Sequence, residues 1–231
     1  MYNILVCDDD KEIVKAIEIY LTKEGYKIYK AYNGEECLNK LEKNEIHLII
    51  LDIMMPVKDG IETLKEIREK ETIPVIMLSA KSEDEDKING LNLGADDYIT
   101  KPFNHLELIA RVNSGIRRYT KLGSVDSNDK NIYSSGELII DDNLKKVSVE
   151  GKEVKLTPTE FNILKFLTKN KGKVYSIEQI YENVWNDEPY SAENIIAVHI
   201  RHIREKIEIN PKDPKFLKVI WGVGYKIEDI S

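Results

Sequence analysis

The sequence predicts an α/β protein: a doubly wound five-stranded parallel sheet, followed by a second, smaller domain of short strands and three helices. Three observations carry that prediction. Across residues 1–118, five short apolar runs alternate with five segments of helical periodicity, the pattern of a parallel sheet with right-handed crossovers. Residues 119–135 then turn polar and rich in Gly, Ser and Asn, as a flexible linker does. Beyond them, short strands come first, and helices and a final hairpin follow. The expected divisions are 1–119, a linker over 120–135, and 136–231.

In chain order, Asn3 to Cys7 is a strand ending on Asp8-Asp9-Asp10. Ile13, Val14, Ile17 and Leu21 then recur at helical spacing until Gly25 stops the helix. Lys27 to Ala31 is the second strand and Glu35 to Leu41 the second helix. Leu48-Ile49-Ile50-Leu51, closing on Asp52, is the third strand. It is apolar at successive positions, as a strand buried on both faces is, and the carboxyl ends of such strands border the ligand crevice. Ile61 to Glu69 is helical, Pro74 to Leu78 is a fourth strand ending on Ser79, and Glu83 to Leu93 is helical. Asp97 to Thr100 is the fifth strand, closed by Lys101-Pro102, and a helix runs from His105 to Arg118.

Composition narrows the functions open to the chain. Its 231 residues are 42% hydrophobic and 32% charged, and no apolar run approaches the roughly 18 residues that cross a bilayer. Met1-Tyr2-Asn3 runs straight into a strand and resembles neither a signal nor a transit peptide, so a cytoplasmic location is expected. Cys7 and Cys37 make neither a disulfide framework nor a metal set. The net charge of −7 argues against bulk attraction to nucleic acid, yet residues 194–226 hold seven Lys and Arg against three Asp and Glu. A local basic patch binds phosphates even on an acidic protein.

The strand ends supply a consistent chemistry: Asp8 and Asp9 from the first, Asp52 from the third, Ser79 from the fourth and Lys101 from the fifth. In a doubly wound sheet these ends converge. Carboxylates brought together repel unless protons or a cation join them, and hard oxygen donors on a loose scaffold suit Mg²⁺. A phosphoryl group on one carboxylate then finds the ion, the Lys101 ammonium and the Ser79 hydroxyl around its oxygens.

Asp8-Asp9-Asp10, Asp52-Ile53-Met54-Met55-Pro56 with Asp59-Gly60, Leu78-Ser79-Ala80 and Gly94 to Phe103 resemble the receiver domain of two-component response regulators. The resemblance implies the strand order 2-1-3-4-5 and a phosphoryl group accepted by Asp52 from a histidine kinase. It also implies Mg²⁺ on Asp9, Asp52 and the Met54 backbone carbonyl, with Asp8 assisting. Lys101 and Ser79 would hold the phosphate, and Tyr98 would be the aromatic switch. A rival of another class stays open: Asp8-x-Asp10 also resembles the nucleophile motif of haloacid-dehalogenase-type phosphatases, with Asp8 the nucleophile and Asp10 its acid/base. Against it, Lys11 stands where Thr or Val is usual, and Asp96-Asp97 precede Lys101 instead of following it.

Charged residues late in this half resemble those joining two receivers in the regulators of the outer-membrane-porin and phosphate-regulon type. The pairs are Lys87 with Glu107 and Asp97 with Arg111, and Asp96 and Arg118 belong to the same expected dimer interface. Asn113 departs from the basic residue usual at its position.

In the second half, Glu137 to Ile140, Lys146 to Val149 and Glu153 to Leu156 read as an antiparallel sheet. Thr157-Pro158-Thr159-Glu160 starts a helix as a capping box with proline at its first position. Ser176 opens a second helix to about Trp185. Ala192 to Ile209 is the third, with Ile196, Ile200, Ile203 and Ile207 on its core side and Asn194, Ala197, Val198, Arg201, His202 and Arg204 left outside. Phe216 to Trp221 and Tyr225 to Ile227 make a hairpin across Gly222-Val223-Gly224. Two helices, a third bearing basic groups, and a basic hairpin fit a winged helix-turn-helix. His199, His202 and Trp221 suit packing roles equally well.

Leu156 to Phe161, Val198 to Arg204 and Gly222 to Tyr225 resemble the effector domain of the same regulators. The resemblance implies phosphate contacts from Trp185, His199, Arg201, Arg204 and Tyr225, with Lys218 and Trp221 on the wing, and base readout around Asn194, Val198 and His202. His202 replaces a more usual Arg, and Trp221 stands where an Arg commonly enters the minor groove. Both features look most like the regulators of glycopeptide resistance. Trp185-Asn186-Asp187-Glu188-Pro189 matches the segment that touches RNA polymerase. The expected protein is a phosphorylation-dependent, DNA-binding transcriptional regulator that dimerises on phosphorylation. It would not be an enzyme beyond slow hydrolysis of its own phosphoryl group.

Overall fold

The computed structural model describes residues 1–80, 94–121, 131–186 and 192–230. The chain divides into two compact units, Met1–Tyr119 and Thr120–Ser231. In the first, β1 (Asn3–Cys7), β2 (Lys27–Ala31), β3 (Leu48–Asp52), β4 (Val75–Ala80) and β5 (Asp97–Lys101) form one parallel sheet in the order β2-β1-β3-β4-β5. Sheet and order are those anticipated. Helices α1 (Lys11–Lys23), α2 (Gly34–Lys43), α3 (Gly60–Lys70) and α4 (His105–Lys121) flank it. The helix predicted over 83–93 lies outside the described residues.

Alternation along the strands fills both faces. Ile4, Val6, Leu48, Ile50, Ile76, Leu78 and Ile99 cluster with Val14, Ile17 and Leu21 of α1 and Leu108, Val112 and Ile116 of α4. The intervening Leu5, Cys7, Ile49, Leu51, Val75 and Met77 point to the other face. They are equally buried, as are Cys37 of α2 and Leu64 and Ile67 of α3.

Short polar side chains satisfy the first-turn amides of the helices. Asp10 caps α1, accepting from the amides of Glu12 at 2.8 Å and Ile13 at 3.4 Å, while Asn33 caps α2 and Asp59 caps α3. Gly60 starts α3 hard against β3, where a Cβ would lie 2.0 Å from the Asp52 carbonyl oxygen. The Gly60 amide donates to Ile53 O at 2.9 Å, so α3 pins the backbone just past Asp52.

In the second unit, β6 (Ile132–Ser135), β7 (Leu138–Asp141), β8 (Lys146–Val149) and β9 (Lys152–Val154) form an antiparallel sheet in sequence order. Helices α5 (Pro158–Lys169), α6 (Ile177–Trp185) and α7 (Ala192–Ile207) follow, and β10 (Leu217–Ile220) pairs with β11 (Gly224–Ile227) as the wing. Capping boxes open α5 (Thr157 with Glu160) and α6 (Ser176 with Gln179). Tyr175 and Tyr225 exchange both backbone hydrogen bonds at 2.9 Å and tie the wing to the chain ahead of α6.

Two boundaries differ from the sequence reading. β6 falls within the stretch expected to be linker, because the serines that made it read as linker do structural work. Ser135 is buried, its Oγ donates to Glu228 O at 2.5 Å, and it accepts from the Ile230 amide at 3.1 Å. Trp221, expected within the wing strand, lies beyond the end of β10 in the turn.

Candidate functional site

The carboxyl ends of β1, β3, β4 and β5 bring the anticipated groups together. Asp8 and Asp52 are buried, Asp9 is exposed, and one oxygen from each lies within 4.8 Å of the others. Lys101 Nζ reaches between the strands to stand 2.6 Å from Asp8 Oδ2 and 2.6 Å from Asp52 Oδ1. Register explains the convergence: Asp52 pairs with Leu78, which places Ser79 one residue further along β4, and Ser79 pairs with Thr100, next to Lys101. Ser79 is 1% exposed, and its Oγ has no hydrogen-bond partner among the described residues. Tyr98, on β5, is half-buried.

Burial is the largest influence on Asp52 and pushes its carboxyl up to about 6; the Lys101 bond opposes that rise, and the charges of Asp8 and Asp9 add to it. Burial also raises Asp8, against the Lys101 and Asp10 hydrogen bonds. At Lys101 burial works against the charge, and the bonds to Asp52 and Asp8 outweigh it, so the ammonium is held above the ordinary lysine value. A single ammonium balances a single carboxylate of the three. An oxygen-lined pocket left anionic fits a hard divalent cation such as Mg²⁺ and, with it, the oxygens of a phosphoryl group.

The second unit presents a different surface. On α7, Arg201 is exposed, while Val198 and Arg204 are half-buried. Arg204 Nε donates to Leu217 O at 2.9 Å, which joins α7 to the wing, and burial lowers its guanidinium pKa. On the wing, Lys218 and Tyr225 are half-buried and Trp221 is exposed. The Asn194 side chain and the segment 187–189 lie outside the described residues.

Three residues expected at the DNA surface are buried instead. Trp185 stacks on Tyr181 at 4.8 Å, His199 lies 5.9 Å from the Trp185 ring, and His202 is 6% exposed. Spacing explains it: Ile195, His199 and His202 follow at i, i+4 and i+7, which extends the inner stripe of Ile196, Ile200 and Ile203. Their neighbour Glu160 is a residue that sequence reasoning treated only as a helix cap. It is 1% exposed, accepts from the Thr157 amide at 2.8 Å and Lys206 Nζ at 2.6 Å, and lies 3.8 Å from His202 Nδ1. The i, i+3, i+7 run His199, His202, Lys206 was the available signal that α7 turns a polar line toward α5.

Known proteins share both halves. Residues 4–113 match the response regulator receiver domain, and residues 151–227 match the C-terminal domain of transcriptional regulatory proteins. The regulatory protein VanR of Enterococcus faecium is 47% identical over 227 residues, 98% of each chain. The chain belongs to the response regulators.

Among other response regulators, the alkaline phosphatase synthesis transcriptional regulatory protein PhoP of Bacillus subtilis is 41% identical over 98% of this chain and 97% of its own. The crystal structure of DrrB, an OmpR/PhoB homologue of Thermotoga maritima, is 38% identical with a TM-score of 0.52, over 99% of both chains. The phosphatase alternative falls on this membership, and on Asp10, whose carboxylate caps α1 instead of serving as an acid/base for Asp8.

The charges expected at a receiver interface are found within one chain. Asp97 and Arg111 pair at 2.7 Å and are both buried, and Glu107 accepts from Arg111 Nε at 3.0 Å. Asp96 accepts from Arg68 at 2.8 Å and from the Val75 amide at 2.9 Å, while Arg118 donates to Ser114 at 2.7 Å. Lys87 lies outside the described residues. Among the described residues no helix is long and apolar enough to cross a membrane.

Proposed function

We propose that this response regulator is switched by phosphorylation of Asp52. The observation that carries the reading is the Lys101 ammonium held 2.6 Å from both Asp8 and Asp52 at the mouth of the sheet. An Asp52 oxygen attacks the phosphorus of a phosphohistidine on the sensor kinase; the P–N bond breaks, and the imidazole leaves and takes up a proton. Asp9, Asp52 and the Met54 carbonyl, with Asp8 assisting, would hold Mg²⁺, which supplies positive charge to the transferring oxygens. Lys101 supplies further charge as its contact with Asp52 passes to the phosphoryl oxygens, and the Ser79 hydroxyl gains the partner it lacks. The Ser79 movement draws Tyr98 inward. Water slowly returns the carboxylate and releases phosphate.

Phosphorylation favours a receiver dimer in which Asp96, Asp97, Glu107, Arg111 and Arg118, with Lys87, exchange partners within a chain for partners across it. Paired second units then settle on tandem DNA half-sites, with α7 in the major groove, Arg201 and Arg204 on phosphates, Val198 near base edges, and Lys218, Trp221 and Tyr225 along the wing. Trp185, His199 and His202 orient α7 from inside. The segment from Trp185 to Pro189 is the contact for RNA polymerase. Phosphoryl transfer from acetyl phosphate to parent and Asp52→Asn chains, followed by phosphate-dependent gel retardation of DNA, tests the reading.

A further inference from the structure

Trp221 is 88% exposed, and Val223 beside it is 57% exposed. Both stand in the turn of the wing, where the Val223 amide donates to Ile220 O at 2.9 Å and Gly222 takes φ +74°. An indole offers about 150–250 Å² of mostly apolar surface, and leaving it in water next to a second apolar side chain marks a contact surface. The tip is rigidly mounted. Gly224, at φ +151°, approaches Tyr175 so closely that a Cβ would lie 2.0 Å from its carbonyl oxygen, just where Tyr175 and Tyr225 exchange backbone bonds. Behind the tip, Lys218 and Lys226 are register partners, and so project from one face of the hairpin. An apolar point on a stiff basic stem matches groove-entering elements that hold phosphates with cations and part a base step with an apolar wedge.

We propose that Trp221, backed by Val223, is a wedge that enters the DNA minor groove beside α7, partly unstacks one base step and bends the duplex. The inference rests on the DNA-binding reading of the second unit. Lys226 is paired with Glu228 at 3.0 Å, and Lys206 and Lys215 with Glu160 and Glu137 at 2.6 Å, so it is Lys218 on the stem and the exposed Arg201 of α7 that favour a polyanion over a protein surface at this tip. Pyrimidine–purine steps unstack most readily and are the sites such a wedge selects.

The chain holds two tryptophans, and Trp185 is 1% exposed, so acrylamide quenching of fluorescence reads Trp221. The probe is a duplex recovered from a random-sequence pool on the full chain treated with acetyl phosphate. On saturation with this duplex, the quenching constant should fall at least threefold. Trp221→Ala should weaken binding about tenfold and reduce the bend seen by circular permutation. Trp221→Phe should retain most of both, and Trp221→Arg should restore affinity without the bend. Unchanged acrylamide access at saturation, or Trp221→Ala bending the duplex as the parent does, overturns the wedge alone. Protection that appears only on adding RNA polymerase, or only on concentrating the chain without DNA, assigns the tip to a protein surface and also overturns it. A parent chain that retains no duplex from the pool overturns the DNA-binding reading and the wedge together.

Discussion

Lys101 Nζ and Asp52 Oδ1 stand 2.6 Å apart at the carboxyl edge of the receiver sheet, with Asp8 Oδ2 equally near the same ammonium. One cation thus serves two buried acids while the exposed Asp9 adds a third negative charge beside them.

The imbalance gives a pH dependence of fixed sign. Because the Asp52 carboxyl is raised from 3.8 to about 6 in the folded chain, the folded state holds its proton more firmly than the unfolded one. Receiver stability should therefore fall as pH rises from about 4 to beyond 6, by up to about 3 kcal/mol for the ionised group. Urea unfolding of the receiver unit in EDTA should show that fall in the parent and a smaller one in Asp52→Asn. Millimolar Mg²⁺ should restore the parent at neutral pH and leave the variant almost unchanged. Equal pH profiles for the two chains would remove the electrostatic account.

Glu160 anchors α7 to α5. Glu160→Ala removes the acceptor for the Thr157 amide and the Lys206 ammonium, and opens space beside His202. A loss of about 2–4 kcal/mol in the second unit is expected, typical of a buried charged hydrogen bond and the partners it strands. Lys206→Met, whose side chain is 36% exposed, should cost far less. Differential scanning calorimetry that shows both changes to be equally mild would count against the anchor.

Arg201 is exposed, pairs loosely with Glu205 at 3.5 Å along the helix, and sets its Nη2 3.3 Å from His202 Nε2. Arg201→Ala should leave thermal unfolding within about 0.5 kcal/mol of the parent. Its DNA affinity should drop about tenfold, with the salt dependence shallower by about one counterion. Filter binding across a salt series checks both numbers. A parent-like affinity and slope would take Arg201 out of the phosphate contacts.

Gly224→Ala tests whether the wing must be tightly mounted. A methyl group 2.0 Å from Tyr175 O, on backbone at φ +151°, cannot be absorbed without moving the hairpin. The second unit should lose about 2 kcal/mol or more and bind DNA more weakly, while phosphoryl labelling of the receiver stays as in the parent. Labelling and gel retardation on one preparation distinguish the two effects.

Residues whose placement follows from local order were readable from the chain alone. Asp52 ends a run apolar at every position, and Ser79 and Lys101 close neighbouring runs, so sheet topology alone brings them together. The structure adds most where one residue type serves two purposes. Ser134 and Ser135 read as linker by composition, but β6 pairs with β7 and buries Ser135. His199 and His202 carry the polarity of a DNA-facing residue, but helical phase puts them on the inner stripe, where His199 lies beside the Trp185 ring and His202 beside Glu160. Asp97 and Arg111 could have met across two chains or within one. Spacing does not distinguish these, and the fold closes the pair internally.

The most direct test of the central claim is phosphoryl labelling. With Mg²⁺ and labelled acetyl phosphate, the parent should take up one acid-stable, base-labile phosphoryl group per chain, EDTA should abolish it, and Asp52→Asn should take up none. An Asp52→Asn chain that labels to the parent's extent would contradict the assignment of Asp52 as the phosphoacceptor.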